Sequence, residues 1–171
     1  TDQDISFERY EFNHPVYILY SSGTTGVPKC IVHGAGNALI EQKKELSIHC
    51  DVKDNDRVFY FTTTGWMMWN WQIASLSCGA SIYLYDGSPF YPKVDTLIKY
   101  CSKKKFTLFG VGAKYIDHLK NVKFNASQFD LNNLKTITST GSPLSSESFE
   151  YVYEYIKKDV HLSSISGGTD I

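Results

Sequence analysis

The chain has 171 residues, enough for one domain with a sizeable core, and its 42% hydrophobic, 15% aromatic and 20% charged residues are ordinary globular proportions, not those of a disordered segment. Seventeen Lys and Arg against eighteen Asp and Glu leave a net charge of −1, which gives no general reason to expect nucleic acid or an anionic membrane as a partner. Cys30, Cys50, Cys78 and Cys101 are widely spaced without a C-x-x-C pair, and no apolar run reaches spanning length, so reduced thiols, no zinc cluster, no membrane insertion and a cytosolic setting are expected. In chain order, "VYILY" (16–20) and "CIVH" (30–33) are β-branched and aromatic and predict strands. The mixed apolar and charged run 37–49 predicts a helix, 57–62 a strand, 67–77 a mostly apolar helix and 80–85 a strand. The segment 93–103 places Val94, Leu97, Ile98 and Cys101 on one helical face, with Lys103, Lys104 and Lys105 as its solvated end. A strand at 106–111, a helix at 113–121, a strand at 134–139, a serine-started helix at 145–158 and a strand at 159–165 complete the pattern.

Strands alternating with crossover-length helices imply βαβ units, hence an α/β fold with a mostly parallel sheet and flanking helices. No repeat or low-complexity linker interrupts it. The chain stops at "ISGGTDI", directly after a glycine turn, so a fragment of a larger protein is expected.

The most informative stretch is "LYSSGTTGVPK" (19–29), in which Ser21, Ser22, Gly23, Thr24, Thr25 and Gly26 follow a strand and Lys29 closes the run. Glycines let the backbone approach an anion, hydroxyls add donors to the amides, and a lysine adds a mobile positive charge. The bland reading is a surface turn. The pattern is not the Walker loop, which needs Gly-Lys-Ser/Thr opening a helix, because Val27 and Pro28 separate Gly26 from Lys29 and a strand follows. Strand, loop, strand is the setting of a mobile flap over phosphates.

That order of residues resembles the phosphate-binding signature of the adenylate-forming acyl-CoA synthetase superfamily. "STGSPL" (139–144) is similar to the family's adenine-side segment, and "SISGGTDI" (164–171) to its Thr-Glu motif. "FTTTGWMMWNW" (61–71) with "LYDGSP" (84–89) is closer still to members acting on acetoacetate. The resemblance implies that residues 1–171 are a fragment of the larger N-terminal AMP-binding domain, with the small C-terminal domain absent. It implies an AMP-forming acid–thiol ligase using ATP, Mg²⁺ and coenzyme A, converting acetoacetate to acetoacetyl-AMP and then acetoacetyl-CoA. Alternatives are a synthetase for acetate or propionate, or a non-catalytic nucleotide-binding module.

The resemblance also implies roles for individual residues. Ser21, Ser22, Gly23, Thr24, Thr25 and Gly26 would embrace the β- and γ-phosphates, with Lys29 as a nearby charge. Gly141, Ser142 and Pro143 would line the adenine. Thr169 would reach the α-phosphate, and Asp170 would hold Mg²⁺, although the family commonly has the longer glutamate there. Trp66 follows Gly65 where a strand turns into a helix, so Trp66 and Met67 are candidates for the wall of a small acyl pocket. Trp69 and Trp71 fit a core helix. His33 is weighted toward a core or helix-start role over that of a catalytic base, and Asp86-Gly87-Ser88-Pro89 is a turn signal.

Overall fold

The structure is a computed structural model that describes residues 6–21 and 26–169. Each strand and helix expected from the pattern is present, with ends moved by a few residues. Strands β1 (Pro15–Ser21) and β2 (Lys29–Gly34) pair antiparallel as a separate two-stranded hairpin, with Ser21 opposite Lys29. The residues on either side of the Ser/Thr/Gly segment, Ser21 and Lys29, are thus paired with each other.

The remaining strands are β3 (Arg57–Tyr60), β4 (Ser81–Tyr83), β5 (Leu108–Gly112), β6 (Thr136–Thr140) and β7 (His161–Ser164). They form one five-stranded sheet in the order β4-β3-β5-β6-β7, and every neighbouring pair is parallel. Helices α1 (Ala35–Lys44), α2 (Met67–Ala74), α3 (Thr96–Lys104), α4 (Ala113–Asn121) and α5 (Ser146–Tyr151) connect and cover them. The expected α/β fold with a parallel sheet and flanking helices is what the chain adopts.

Alternation along the strands divides the core in two. Val58, Tyr60 and Leu108 face one side, where Leu46, Met68, Trp71 and Ala74 pack on them. Phe59, Phe109, Val111 and Ile137 face the other, against residues of α3, α4 and α5 such as Leu97, Ile98, Ile116 and Leu119. Phe59 stacks on Phe106 at 5.0 Å and on Phe109 at 5.5 Å between ring centroids. Gly110 is required by packing: a Cβ there would stand 2.1 Å from a ring carbon of Tyr60. Both faces of the sheet are thus buried, as all-parallel sheets demand.

Two helices expected to be long change character near their ends. The run 37–49 is α-helical to Lys44 and widens into a π turn over Glu45–His49. The run 145–158 starts where the serine signal puts it, with the Ser145 hydroxyl accepting from the Ser148 N–H at 3.3 Å, and widens after Tyr151 into a π turn over Val152–Ile156. There the Lys157 N–H reaches back five residues to the Val152 carbonyl at 2.8 Å. The basic run is the C-terminal end of α3, where Lys105 takes a left-handed φ of 56° and its ammonium pairs with Asp130.

Chain order sets where a ligand can enter. From β3 the chain steps outward to β4, then crosses back past β3 to β5 and continues to β6 and β7. The direction reverses between β3 and β5, and the connections leaving the two strands' carboxyl ends diverge there. In open parallel sheets that divergence opens the crevice in which ligands bind.

Candidate active site

Three segments leave the carboxyl ends of the sheet and meet above it. After β3 the chain turns through residues 61–65 to Trp66, the extended residue that precedes α2. After β6 it turns at Gly141, whose φ of +87° suits glycine. After β7 it runs through residues 165–169 without regular structure. The last two are tied together: the Ile165 N–H donates to the Ser139 carbonyl at 2.8 Å, the Thr140 hydroxyl to the Ile165 carbonyl at 3.3 Å, and the Leu144 N–H to the Ser164 hydroxyl at 3.1 Å.

The hairpin closes the space from the opposite side. Tyr17 and Leu19, alternate residues of β1, point inward together. The base of the hairpin is fixed to α1, whose first N–H groups need partners: Ala35 donates to the His14 carbonyl at 2.8 Å and Gly36 to the Phe12 carbonyl at 2.9 Å.

Two cavities result. The larger, about 780 Å³, is lined by Tyr17, Leu19, Trp66, Met67, Gly141 and Thr169, among others. The smaller, about 350 Å³, adjoins it through shared walls that include Met67, Asn70 and Gly167, and extends to His33 on β2 and Ala38 on α1. Two glycines lie beside the large side chains of the larger space. A Cβ on Gly141 would stand 3.9 Å from the Trp66 ring, and one on Gly167 would stand 3.8 Å from the Met67 methyl. Burial raises the Tyr17 phenol above its ordinary pKa, so at neutral pH it is a protonated donor at the wall.

Of the residues picked from the sequence, Trp66, Met67, Gly141 and Thr169 come together around the larger cavity. Ser21 is the last residue of β1, while Gly26 and Lys29 are exposed at the hairpin tip and line neither cavity. Ser142 and Pro143 are exposed and also line neither. Ser22, Gly23, Thr24, Thr25 and Asp170 lie outside the described residues, and with them the expected flap and the magnesium ligand. Among the described residues no group of three His, Cys, Asp or Glu is placed to hold a metal ion. Magnesium commonly binds through one or two carboxylates plus substrate phosphates, so a cage of three protein ligands is not required for the ion expected here.

Trp71 is buried in the core, 5.9 Å from Tyr60 between ring centroids, and Trp69 is half-buried. His33 is the penultimate residue of β2, whose last residue, Gly34, precedes α1. Residues 86–89 form an exposed turn held by the Tyr85 hydroxyl on the Ser88 carbonyl at 3.0 Å and do not line the cavities. Sequence reasoning missed Tyr17, Leu19, Asn70 and Gly167. Two signals were available: strict alternation puts Tyr17 and Leu19 of "VYILY" on one face, and Asn70 is a polar residue inside an apolar helix.

The sequence model of the family described as AMP-binding enzyme matches residues 6–168. The chain belongs to the AMP-binding enzyme family. It is 57% identical over 166 residues to acetoacetyl-coenzyme A synthetase of Rhizobium meliloti, covering 96% of this chain and 26% of that protein. It is 42% identical over 184 residues to malonamoyl-CoA synthetase of Penicillium aethiopicum, covering 99% of this chain and 25% of the relative. Among solved structures, acetoacetyl-CoA synthetase from Streptomyces lividans superposes with a TM-score of 0.92 at 39% identity, over 99% of this chain and 27% of that one. The chain thus spans about a quarter of the length of the relatives it matches. No described helix of this AMP-binding chain is long and apolar enough to cross a membrane. All four cysteines are free thiols.

Proposed function

We propose that this chain is part of the N-terminal AMP-binding domain of an acid–thiol ligase that activates acetoacetate with ATP, releases pyrophosphate, and transfers the acyl group to coenzyme A with release of AMP. The observation that carries the reading is the cavity at the carboxyl ends of the sheet, where Trp66, Met67, Gly141 and Thr169 meet. The names of the relatives add to it. Acetoacetyl and malonamoyl groups share a second carbonyl, two carbons from the one that is activated.

In the first step a carboxylate oxygen bonds to the α-phosphorus of ATP and the bond to pyrophosphate breaks. In the second the thiol sulfur bonds to the acyl carbon and the bond to AMP breaks. Neither step needs a protein nucleophile; both need neutralised phosphate charge, an aligned carboxylate and exclusion of water. We assign the phosphates to residues 21–26 with Lys29, and the adenine side to Gly141, Ser142 and Pro143. Thr169 is assigned to the α-phosphate, and Trp66 with Met67 to the acyl wall. Asp170 would hold Mg²⁺, which would offset phosphate charge. The small C-terminal domain implied by the resemblance would lie outside this chain. Four free thiols favour the cytosol as the compartment.

The test is a panel of acids on the full-length gene product with ATP, Mg²⁺ and coenzyme A, following AMP and acyl-CoA. Acetoacetate should exceed acetate and propionate in kcat/KM by at least tenfold, a difference of about 1.4 kcal/mol. A preference for acetate or propionate would replace the substrate. Nucleotide binding without AMP formation from any acid would make this a binding module.

A further inference from the structure

Asn70 stands out on α2. Its neighbours Met67, Met68, Trp69 and Trp71 are apolar, yet Asn70 is only 8% exposed. A buried amide is normally hydrogen-bonded, because leaving it unpaired gives up its hydration without return. The Asn70 side chain makes no hydrogen bond to another described residue, and its amide is not one of the fully shut-off, unpartnered groups of the interior. It lines both cavities and so stands where they adjoin. A second polar group borders the same space. His33 lines the smaller cavity, and its Nε2 is buried without a partner. Helix α2 gives that wall the apolar Met67, Met68 and Trp71, and Glu41 and Glu45 also line it. A pocket that sets a few polar groups among apolar side chains is the form of a site that orients a small ligand through one or two hydrogen bonds.

We propose that Asn70, with His33 as a second donor, recognises the 3-oxo oxygen of a short 3-oxo acid, and so selects that substrate over the saturated acid of the same length. The inference rests on the function proposed above. The carboxylate would lie in the larger cavity beside Thr169 and Gly141, and the acid's tail would reach the adjoining one. A carbonyl oxygen only accepts hydrogen bonds, and the Asn70 Nδ2 has two N–H donors to offer. The imidazole donates from Nε2 in the tautomer that carries its proton there. The methyl end then meets the apolar side chains of α2. Saturated acids would leave the Asn70 amide unpaired on binding, and a site built around a hydrogen bond discriminates strongly against analogues that lack the partner atom.

The experiment compares acetoacetate with butanoate, which lacks only the 3-oxo oxygen, on full-length wild type, Asn70→Leu, Asn70→Asp and His33→Phe. Thermal unfolding of each variant checks folding. Wild type should prefer acetoacetate. Asn70→Leu should lower kcat/KM for acetoacetate at least tenfold while leaving that for butanoate within about threefold, so that the ratio collapses. Asn70→Asp keeps the size and removes the donor, and should give the same loss of ratio. His33→Phe should give a smaller loss in the same direction. Both Asn70 variants folding and keeping the wild-type ratio would overturn the inference while leaving the proposed function standing. A wild type indifferent to the 3-oxo oxygen would overturn the inference together with acetoacetate as the substrate.

Discussion

The parallel sheet and the β1–β2 hairpin solve the same problem differently. In the sheet both faces are covered, and Val58, Phe59, Leu108, Phe109 and Val111 are all essentially out of water. In the hairpin burial is incomplete: Tyr17 and Leu19 are half-buried where they line both cavities, while Val16, Ile18 and Tyr20, which border the larger cavity, and Val32 stand exposed, Tyr20 to 67%. A two-stranded hairpin is marginal by itself, so this one depends on its anchorage to α1 and on the surface it leans against. The difference teaches why the site lies between them. The sheet supplies fixed strand ends, and the hairpin supplies a wall held less tightly, which suits the nucleotide-admitting role proposed for it above.

The contrast can be broken most severely from the sheet side. Phe59→Ala removes a ring that stacks on Phe106 and Phe109, and should lower unfolding stability by about 3–5 kcal/mol in urea titration. A loss below about 1 kcal/mol would mean that the sheet core repacks far more freely than its geometry implies.

Alkaline pH should weaken the same core. Burial pushes the Cys50 thiol up to about 11 and the Cys101 thiol up to about 12, from an ordinary 9.0. Unfolding frees both to ionise earlier. Their contribution to stability is therefore complete below about pH 9 and is lost as pH rises toward the folded values, at up to about 1.4 kcal/mol per pH unit for each thiol. Burial also raises the Tyr60, Tyr115 and Tyr151 phenols, which act in the same direction at higher pH. Urea midpoints from pH 7 to 11 should stay flat and then fall. Iodoacetamide at pH 8 should label Cys30 on the exposed hairpin well before Cys50 or Cys101.

Where the two regions meet, Trp66→Gly should reduce kcat/KM for acetoacetate at least tenfold in the full-length enzyme, about 1.4 kcal/mol, and shift preference toward longer acids. An unchanged acid profile would remove Trp66 from the acyl wall. The smallest effect on stability is expected at an exposed position of the hairpin. Ile18 is 57% exposed, and Ile18→Ser should change the stability of this chain by no more than about 0.5 kcal/mol. A larger loss would show that this position packs against something in solution.

Much of this was legible in advance because it is local. Alternation and β-branching marked the strands, apolar spacing marked α3, and the serine start of α5 is a cap that forms within four residues. The glycine-rich segment and the two later motifs carried the family resemblance, because phosphate binding by backbone amides needs particular residue types in a particular order. The widening of α1 and α5 into π turns was not legible, since it depends on how their ends meet the rest of the fold. Nor was the exposure of Ser142 and Pro143 beside Gly141, because which residues of a turn face a cavity is set by the strands on either side.

The sequence by itself determined the alternation of strands and helices, the parallel α/β class and the family, for each follows from periodicity or from an ordered motif. Only the tertiary structure decided that Tyr17, Leu19, Asn70, Trp66, Gly141 and Gly167 share one space. They come from β1, α2 and its approach, and the exits of β6 and β7, up to about 150 residues apart along the chain. What unites them is the strand order β4-β3-β5-β6-β7, whose reversal between β3 and β5 opens a crevice at the carboxyl ends. That order is fixed by crossovers and two-sided burial of the whole sheet, and no short window of sequence contains it.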